Sequence, residues 1–379
     1  MQSESPQPVG VLRHFFLPPS ETFIYESICS LTRYSARVFA IERRTADKFP
    51  FAAVTALRSL PLGDIEALLY RVTTYSPRYF AWARRNALLH AHMGYTGVHG
   101  LAAAQRFGLP LVTSFYGRDT TILTSPSRFH PSYWHFWAFA RLLFGLGNRF
   151  LVLSKEMKER LIALGCAAEK IRIVPLGINL DRFRNERRVR RVARPRVLLV
   201  GREVEKKGFD DGLRACAAAR DAGADLDVVL LGTGGPLRGE LQRLAAELNL
   251  DVAWPDPKTP VPDAMRDADI LLVPSRTAAN GDKEGTPTVI CEGSTAALPI
   301  VATRHAGIPE QVDHELTGLL TDERDTDTLG AHLARLAADP QLRFDLGVAG
   351  RDKMQREYSL QAHRDNLQAV YDELLGRAP

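Results

Sequence analysis

Short apolar runs that end in a glycine or polar turn and lead into a helical segment recur along the whole of this 379-residue chain. Residues 9–17, 37–41, 87–92, 109–115, 149–153 and 171–175 read this way in the first half, and 197–200, 228–231, 269–274 and 317–320 in the second. Strands that alternate with helices close into parallel, doubly wound α/β sheets, with ligands gathered at the C-terminal ends of the strands. The length is too great for one ordinary core and suits two domains.

Charge divides the chain in the same place. Residues 1–183 carry 22 Lys and Arg against 12 Asp and Glu, the segment 184–196 (RNERRVRRVARPR) adds a net +6, and residues 197–379 carry 20 basic against 31 acidic groups. A basic half suits nucleic acid, an anionic membrane surface or an acidic substrate, and charge alone does not choose among them. The four cysteines, Cys29, Cys166, Cys216 and Cys291, show no C-x2-C spacing, so neither a zinc site nor a disulfide framework is expected, and a cytoplasmic location follows. The N-terminal stretch has no charged, then apolar, leader pattern, and no apolar run reaches the length of a membrane span.

The richest stretch for chemistry is 280–310, NGDKEGTPTVICEGSTAALPIVATRHAGIPE. Gly285-Thr286-Pro287 reads as the opening of an apolar helix that continues through 288–298, with Thr286 as N-cap and Pro287 as first helical residue, so that unpaired N–H groups and the positive dipole end face Glu284. Glu292, inside the helix, needs a partner, and vicinal sugar or ribose hydroxyls suit an ionised carboxylate. A capping or ion-paired glutamate is the plain alternative. Upstream, the strand at 197–200 feeds Gly201-Arg202-Glu203-Val204-Glu205-Lys206-Lys207-Gly208, where two cations five positions apart suit a diphosphate. The run Gly232-Thr233-Gly234-Gly235-Pro236 repeats strand and glycine turn without the G-x-G-x-x-G dehydrogenase pattern.

These residues resemble the retaining GT-B glycosyltransferases of family 4. The likeness rests on Glu284-x7-Glu292, on Gly201-Arg202-x4-Lys207-Gly208, on Pro175-Leu176-Gly177-Ile178-Asn179, and on Ser20-Glu21-Thr22-Phe23. It implies an α/β GT-B fold, two Rossmann-like doubly wound domains facing a cleft. The N-terminal domain would be 1–183, with a crossover helix 359–375 packing back on it, the linker 184–196, and the nucleotide-sugar domain 197–358. It further implies transfer from a UDP- or GDP-linked sugar to a glycan or lipid-linked acceptor with retention of configuration, by a front-face route with the leaving phosphate as base. No metal, no cofactor beyond the nucleotide sugar and no nucleic acid are expected. Donor residues would be Arg202, Lys207, Gly234, Glu284, Gly285, Thr286, Pro287, Thr288 and Glu292, and the acceptor side Ser20, Glu21, Thr22, His92 and Tyr116. Glu284, Arg202, Lys207, Tyr116 and Asp119 would serve catalysis.

Tyr116 departs from the family's His-Gly-x-Asp loop. Tyrosine's ordinary pKa lies far above histidine's, so hydrogen bonding rather than proton transfer near neutral pH is expected of it. His90 and His92 have no third ligand nearby for a metal. Asp267-Ala268-Asp269 enters a strand and reads as a turn or cap rather than a metal site. Two aromatic and arginine-bearing stretches, 75–85 and 129–150, read either as helices packing a core or as a surface laid against lipid headgroups. The second reading places the chain on the inner face of the membrane. Rival functions within the fold are a sugar-nucleotide epimerase or a phosphorylase. Outside catalysis, the rival is a nucleotide-sugar-binding protein.

Overall fold

A computed structural model of the chain describes residues 5–18, 21–130, 133–183, 189 and 191–377, with residues 126 and 127 described by their backbone alone. It divides into two compact units, Met1–Gly177 with Leu360–Pro379, and Ile178–Ser359. The arginine-rich segment therefore falls within the second unit rather than between the two, and its residues 184–188 and 190 lie outside the described ones.

The first unit contains strands β1 (Gln7–Phe16), β2 (Tyr34–Arg43), β3 (Val54–Ala56), β4 (Leu88–His92), β5 (Leu111–Ser114), β6 (Arg149–Val152) and β7 (Ile171–Ile173). Its helices are α1 (Thr22–Ser30), α2 (Gly63–Thr73), α3 (Pro77–Ala83), α4 (Gly94–Phe107), α5 (Arg118–Thr124), α6 (Trp134–Leu146) and α7 (Lys155–Ala163). The strands run parallel in the order β3-β2-β1-β4-β5-β6-β7, so the winding reverses between β1 and β4. Successive side chains go to opposite faces. Leu12, Phe39, Leu89 and Leu111 share one buried cluster, and Val9, Val11, Val38, Leu88 and Val112 the other.

The second unit contains β8 (Arg196–Gly201), β9 (Asp227–Gly232), β10 (Val252–Ala253), β11 (Ile270–Val273), β12 (Ile300–Thr303) and β13 (Gly318–Thr321). Between and after them lie α8 (Phe209–Asp221), α9 (Arg238–Glu247), α10 (Val261–Asp267), α11 (Thr288–Thr295), α12 (Ile308–Gln311), α13 (Thr326–Ala338) and α14 (Pro340–Glu357). This sheet is parallel in the order β10-β9-β8-β11-β12-β13 and reverses between β8 and β11. Leu198, Val200, Leu271 and Ile300 pack on one face and Val197, Leu199, Leu272 and Val301 on the other. Both sheets are thus α/β and Rossmann-like in winding.

The last helix, α15 (Leu360–Leu375), belongs to the first unit. Its Leu367, Val370 and Tyr371 enter the core. Asp372 accepts from Arg33 Nη2 and from the Tyr34 hydroxyl, each at 2.6 Å, and Gln368 Oε1 accepts from the N–H groups of Thr32 and Arg33.

The two aromatic stretches come apart. In 75–85, Tyr79 and Trp82 are buried in the core, and Ser76 caps α3 by accepting from the Tyr79 N–H, so the core reading holds there. In 129–150, Trp134 and Trp137 are 44% and 52% exposed. Among the described residues no helix is long and apolar enough to cross a membrane.

Candidate active site

The reversal point of the second sheet brings three loops together: 201–208 after β8, 274–287 after β11 and 304–307 after β12. Backbone contacts tie them. Arg276 N–H donates to the Lys206 carbonyl at 2.9 Å, and Gly307 N–H to the Gly285 carbonyl at 3.1 Å. Gly208 sits at φ +61°, and a Cβ there would lie 1.9 Å from the Pro274 carbonyl oxygen, so only glycine lets the first two loops touch.

Within this cluster Lys207 Nζ lies 3.3 Å from Glu284 Oε1, and Lys206 Nζ lies 3.2 Å from Asp282 Oδ2 and 3.9 Å from Glu284 Oε1. Burial by itself raises the Glu284 pKa, but the two ammonium groups outweigh it and hold the carboxylate below its usual range. Arg202 is exposed, with no ion-pair partner among the described residues. Glu292 is half-buried on α11.

The helix start differs from the sequence reading in one respect. α11 begins at Thr288, Pro287 occupies the N-cap position in extended geometry, and no side chain among the described residues caps the first turn. Thr286 is not the cap: its buried hydroxyl has no hydrogen-bond partner among the described residues. The extended ψ of Pro287, 117°, keeps it outside the helix that its φ would suit. An uncapped first turn with an idle hydroxyl beside it is a place for a hydrogen-bonding ligand.

Three residues given no role above shape the loops. Glu203, 1% exposed, accepts from Gly234 N–H at 3.0 Å and from Arg238 Nη1 at 3.1 Å. Gly234 therefore spends its N–H internally, which removes that donor from the expected ligand set. A Cβ at Gly232 would strike Glu203 Oε1, so the glycine turn wraps the carboxylate. His305, wholly buried, accepts the Glu284 N–H on Nε2 at 3.0 Å, so its Nδ1 carries the proton and donates to Glu323 Oε1 at 2.6 Å. Glu323 also accepts from Thr277 N–H and hydroxyl. Its partial burial raises its pKa, and the Thr277 and His305 hydrogen bonds bring it down below the usual value. Of the three, His305 falls within the HAGIPE segment and Glu203 within the loop after β8, but nothing local marks Glu323.

Asp269 Oδ2 accepts the Arg196 N–H at 2.9 Å, at the entry of β8. Among the described residues no group of three His, Cys, Asp or Glu side chains is placed to hold a metal.

In the first unit the reversal point gathers Arg13, Glu21, His92, Tyr116 and Asp119. Arg13, 3% exposed, donates to the His92 carbonyl at 2.9 Å and pairs with Glu21. Glu21 occupies the N-cap position of α1 without capping it, because its carboxylate turns to Arg13. Thr22 is the first residue of α1, and Ser20 lies outside the described residues. The Tyr116 hydroxyl shares a 2.6 Å hydrogen bond with His92 Nδ1, leaving buried His92 Nε2 without a hydrogen-bond partner among the described residues. Burial raises the Tyr116 pKa and lowers that of His92. Asp119 is wholly buried, and its oxygens accept from the N–H groups of Gly94, Tyr116, Gly117 and Thr120. Its carboxylate holds the loop in shape, so the placement of Asp119 among the reacting groups is corrected to a positioning one.

The comparisons with known proteins follow the same division. Residues 20–182 match the family described as Glycosyltransferase Family 4, and residues 194–339 match Glycosyl transferases group 1. The chain is 31% identical to the amylovoran biosynthesis glycosyltransferase AmsK of Erwinia amylovora, over 75% of this chain and 69% of that protein. It is 28% identical to the D-inositol 3-phosphate glycosyltransferase of Saccharomonospora viridis, over 93% of this chain and 88% of that one. Among solved structures, Anabaena Alr3699/HepE in complex with UDP aligns with a TM-score of 0.76 at 17% identity, covering 97% of this chain and all of that one.

Proposed function

This chain belongs to glycosyltransferase family 4, the group 1 glycosyl transferases, and from that premise we propose that it moves a sugar from a UDP- or GDP-linked donor to a glycan or lipid-linked acceptor with retention of anomeric configuration. The likeness to AmsK, named for amylovoran biosynthesis, supports a place in bacterial polysaccharide or glycolipid assembly. The second unit takes the donor. The first unit presents His92, Tyr116, Glu21 and Thr22 toward the acceptor.

One observation carries this reading: the Glu284 carboxylate lies 3.3 Å from Lys207, and the chain that follows it runs through Thr286, whose hydroxyl is idle, into the uncapped start of α11. In this reading Arg202, Lys207 and the first turn of α11 meet the charge that grows on the leaving diphosphate, and such preorganised donors act most strongly where water is excluded. Lysine pairing keeps Glu284 ionised, so it accepts from hydroxyls of the donor sugar, and Glu292 accepts from the ribose. Lys207 then stands between sugar-binding carboxylate and diphosphate, joining recognition of both ends of the donor. The leaving phosphate serves as base on the front face. No resident metal enters this scheme, and the peripheral cytoplasmic location belongs to the same proposal.

A thermal-shift screen against UDP-, GDP-, ADP- and TDP-sugars tests it. A ligand that binds only the folded state raises the midpoint by mass action. We expect a rise with UDP- or GDP-sugars, and no shift with any nucleotide sugar would overturn the reading.

A further inference from the structure

Helix α6 is apolar on every side. It buries Phe136, Ala140, Leu143 and Phe144, yet Trp134, Trp137, Phe139, Leu142 and Leu146 are exposed, and Arg141 is its one charged residue. A helix of that kind is ordinarily enclosed in a core or in lipid. Helix α2 repeats the pattern: Ile65, Leu68 and Val72, at helical spacing along one face, are 68%, 63% and 55% exposed. The two helices meet where His135 Nε2 lies 2.8 Å from the Val72 carbonyl oxygen. Between them and α4 runs an apolar groove of about 300 Å³, open along Val72, Ala102, Trp134, Phe139, Leu142 and Leu146. Single exposed apolar side chains are ordinary, but a contiguous patch around a groove marks a binding surface.

The charge around the patch names its partner. From residue 58 to 154 the chain carries ten arginines against three acidic residues, of which Asp64 pairs with Arg58, Glu66 pairs with Arg78 and Asp119 is wholly buried, so the stretch is basic by seven charges. Arg71 lies on α2 and Arg141 on α6. The Arg128 guanidinium stands 4.7 Å from the Phe129 ring centroid, and that ring lies 5.9 Å from Trp137. Aromatics and arginines side by side suit the headgroup level of an anionic bilayer, where rings insert and guanidinium groups meet phosphate. A second copy of this chain would instead bring the same arginines face to face, a like-charge arrangement that costs affinity.

We propose that the α2–α6 face of the first unit lies in the surface of an anionic bilayer and that the groove takes one hydrocarbon chain of an anionic lipid. This deepens the membrane-proximal acceptor reading above and rests on it. No bond is made or broken. The surface would hold the enzyme where a lipid-linked acceptor's own chain is anchored.

The test uses the full chain, without donor or acceptor, and vesicles of phosphatidylcholine alone or mixed with phosphatidylglycerol. Co-sedimentation is expected only with phosphatidylglycerol, falling as salt rises from about 0.1 M to about 0.5 M. Arg71→Glu with Arg141→Glu should weaken it at least about tenfold, since each surface cation near such a membrane counts for roughly a fivefold effect. Leu68→Asp with Trp137→Asp should abolish it. Lipids brominated in the acyl chain should quench the tryptophan fluorescence of the bound protein, and less so in Ala102→Phe, which fills the groove. Each variant should keep the parent's thermal shift with nucleotide sugar, which shows that it is folded. Equal binding to neutral and anionic vesicles, no binding at all, absence of quenching, or a solution dimer that Trp137→Asp dissociates would each overturn the proposal. A protein that answers nucleotide sugars but ignores vesicles sinks this inference alone, and the reverse result sinks only the donor reading.

Discussion

Glu284 gives its backbone N–H to Nε2 of His305 at 3.0 Å while its side chain faces Lys207, so one residue is fixed from behind and paired in front. The imidazole is itself anchored by Glu323, and Glu323 by Thr277. The orientation of the Glu284 carboxylate, the proposed sugar-binding group, thus depends on a chain of three residues that need not touch a ligand.

Breaking that chain should cost donor recognition before it costs fold. We expect His305→Ala to leave a buried N–H and the Glu323 carboxylate without their partner, destabilising the protein by about 1–3 kcal/mol. It should also raise the donor KM about tenfold or more. Glu323→Gln, which keeps an oxygen for the Nδ1 proton, should do less of both. Urea unfolding and donor titration read these out, and an unaltered donor KM in His305→Ala would remove His305 from the site.

The two glutamates should separate by ligand. Glu292→Gln is expected to weaken nucleotide binding by about 1–3 kcal/mol. Glu284→Gln should leave affinity for the free nucleoside diphosphate unchanged or improved, because Lys207 loses its partner, while turnover falls. Calorimetric titration with nucleoside diphosphate and with the nucleotide sugar distinguishes them. Unchanged affinity for the free nucleoside diphosphate in Glu292→Gln would refute the ribose role.

Turnover should persist in excess EDTA if Arg202, Lys207 and the start of α11 meet the diphosphate charge. Loss of activity that magnesium or manganese restores would return Asp267 and Asp269 to consideration, and would require Asp269 to leave the Arg196 N–H that it accepts at 2.9 Å.

Acid should weaken the first unit well above the carboxylate range. Burial holds His90 down at about 3 and His99 at about 4, whereas in the unfolded chain each protonates near pH 6.5. The unfolded state therefore binds more protons throughout that interval, so stability is full above about pH 6.5 and falls as pH drops toward 4. Each histidine adds a slope of at most about 1.4 kcal/mol per pH unit. His90→Gln should flatten the urea-midpoint profile over this range even where it lowers the midpoint itself. An unchanged slope would mean that His90 takes up its proton in the native protein over the same pH range as in the unfolded chain.

Much of the fold was legible because β1, β4, β8 and β11 are short apolar runs ending in distinctive turns, and a strand buried on both faces has no other reading once helices follow it. The region of β3 and α2 was not, since Val54–Ala56 is three residues long and the exposed face of α2 is apolar, which defeats the usual contrast of inside and outside. The site divides in a similar way. Lys207 and Glu284 stand in recognisable turns, but Glu323 acts across 18 residues and Glu203 is read only from glycines 29 to 32 positions away. Asp119 misled because a carboxylate beside an active loop looks reactive until its backbone partners are visible.

The return of Leu360–Leu375 to the first unit has a temporal meaning. Asp372, Tyr371 and Gln368 complete hydrogen bonds begun by Arg33, Tyr34, His90 and Thr32, residues that leave the ribosome hundreds of positions earlier. During synthesis, at about 5–20 residues per second, the second unit has all its strands and helices in hand while the first still waits for its final helix. The half that comes out first is the half that is finished last, and for that interval buried positions such as Val9, Val11 and Tyr34 depend on whatever shelters a nascent chain.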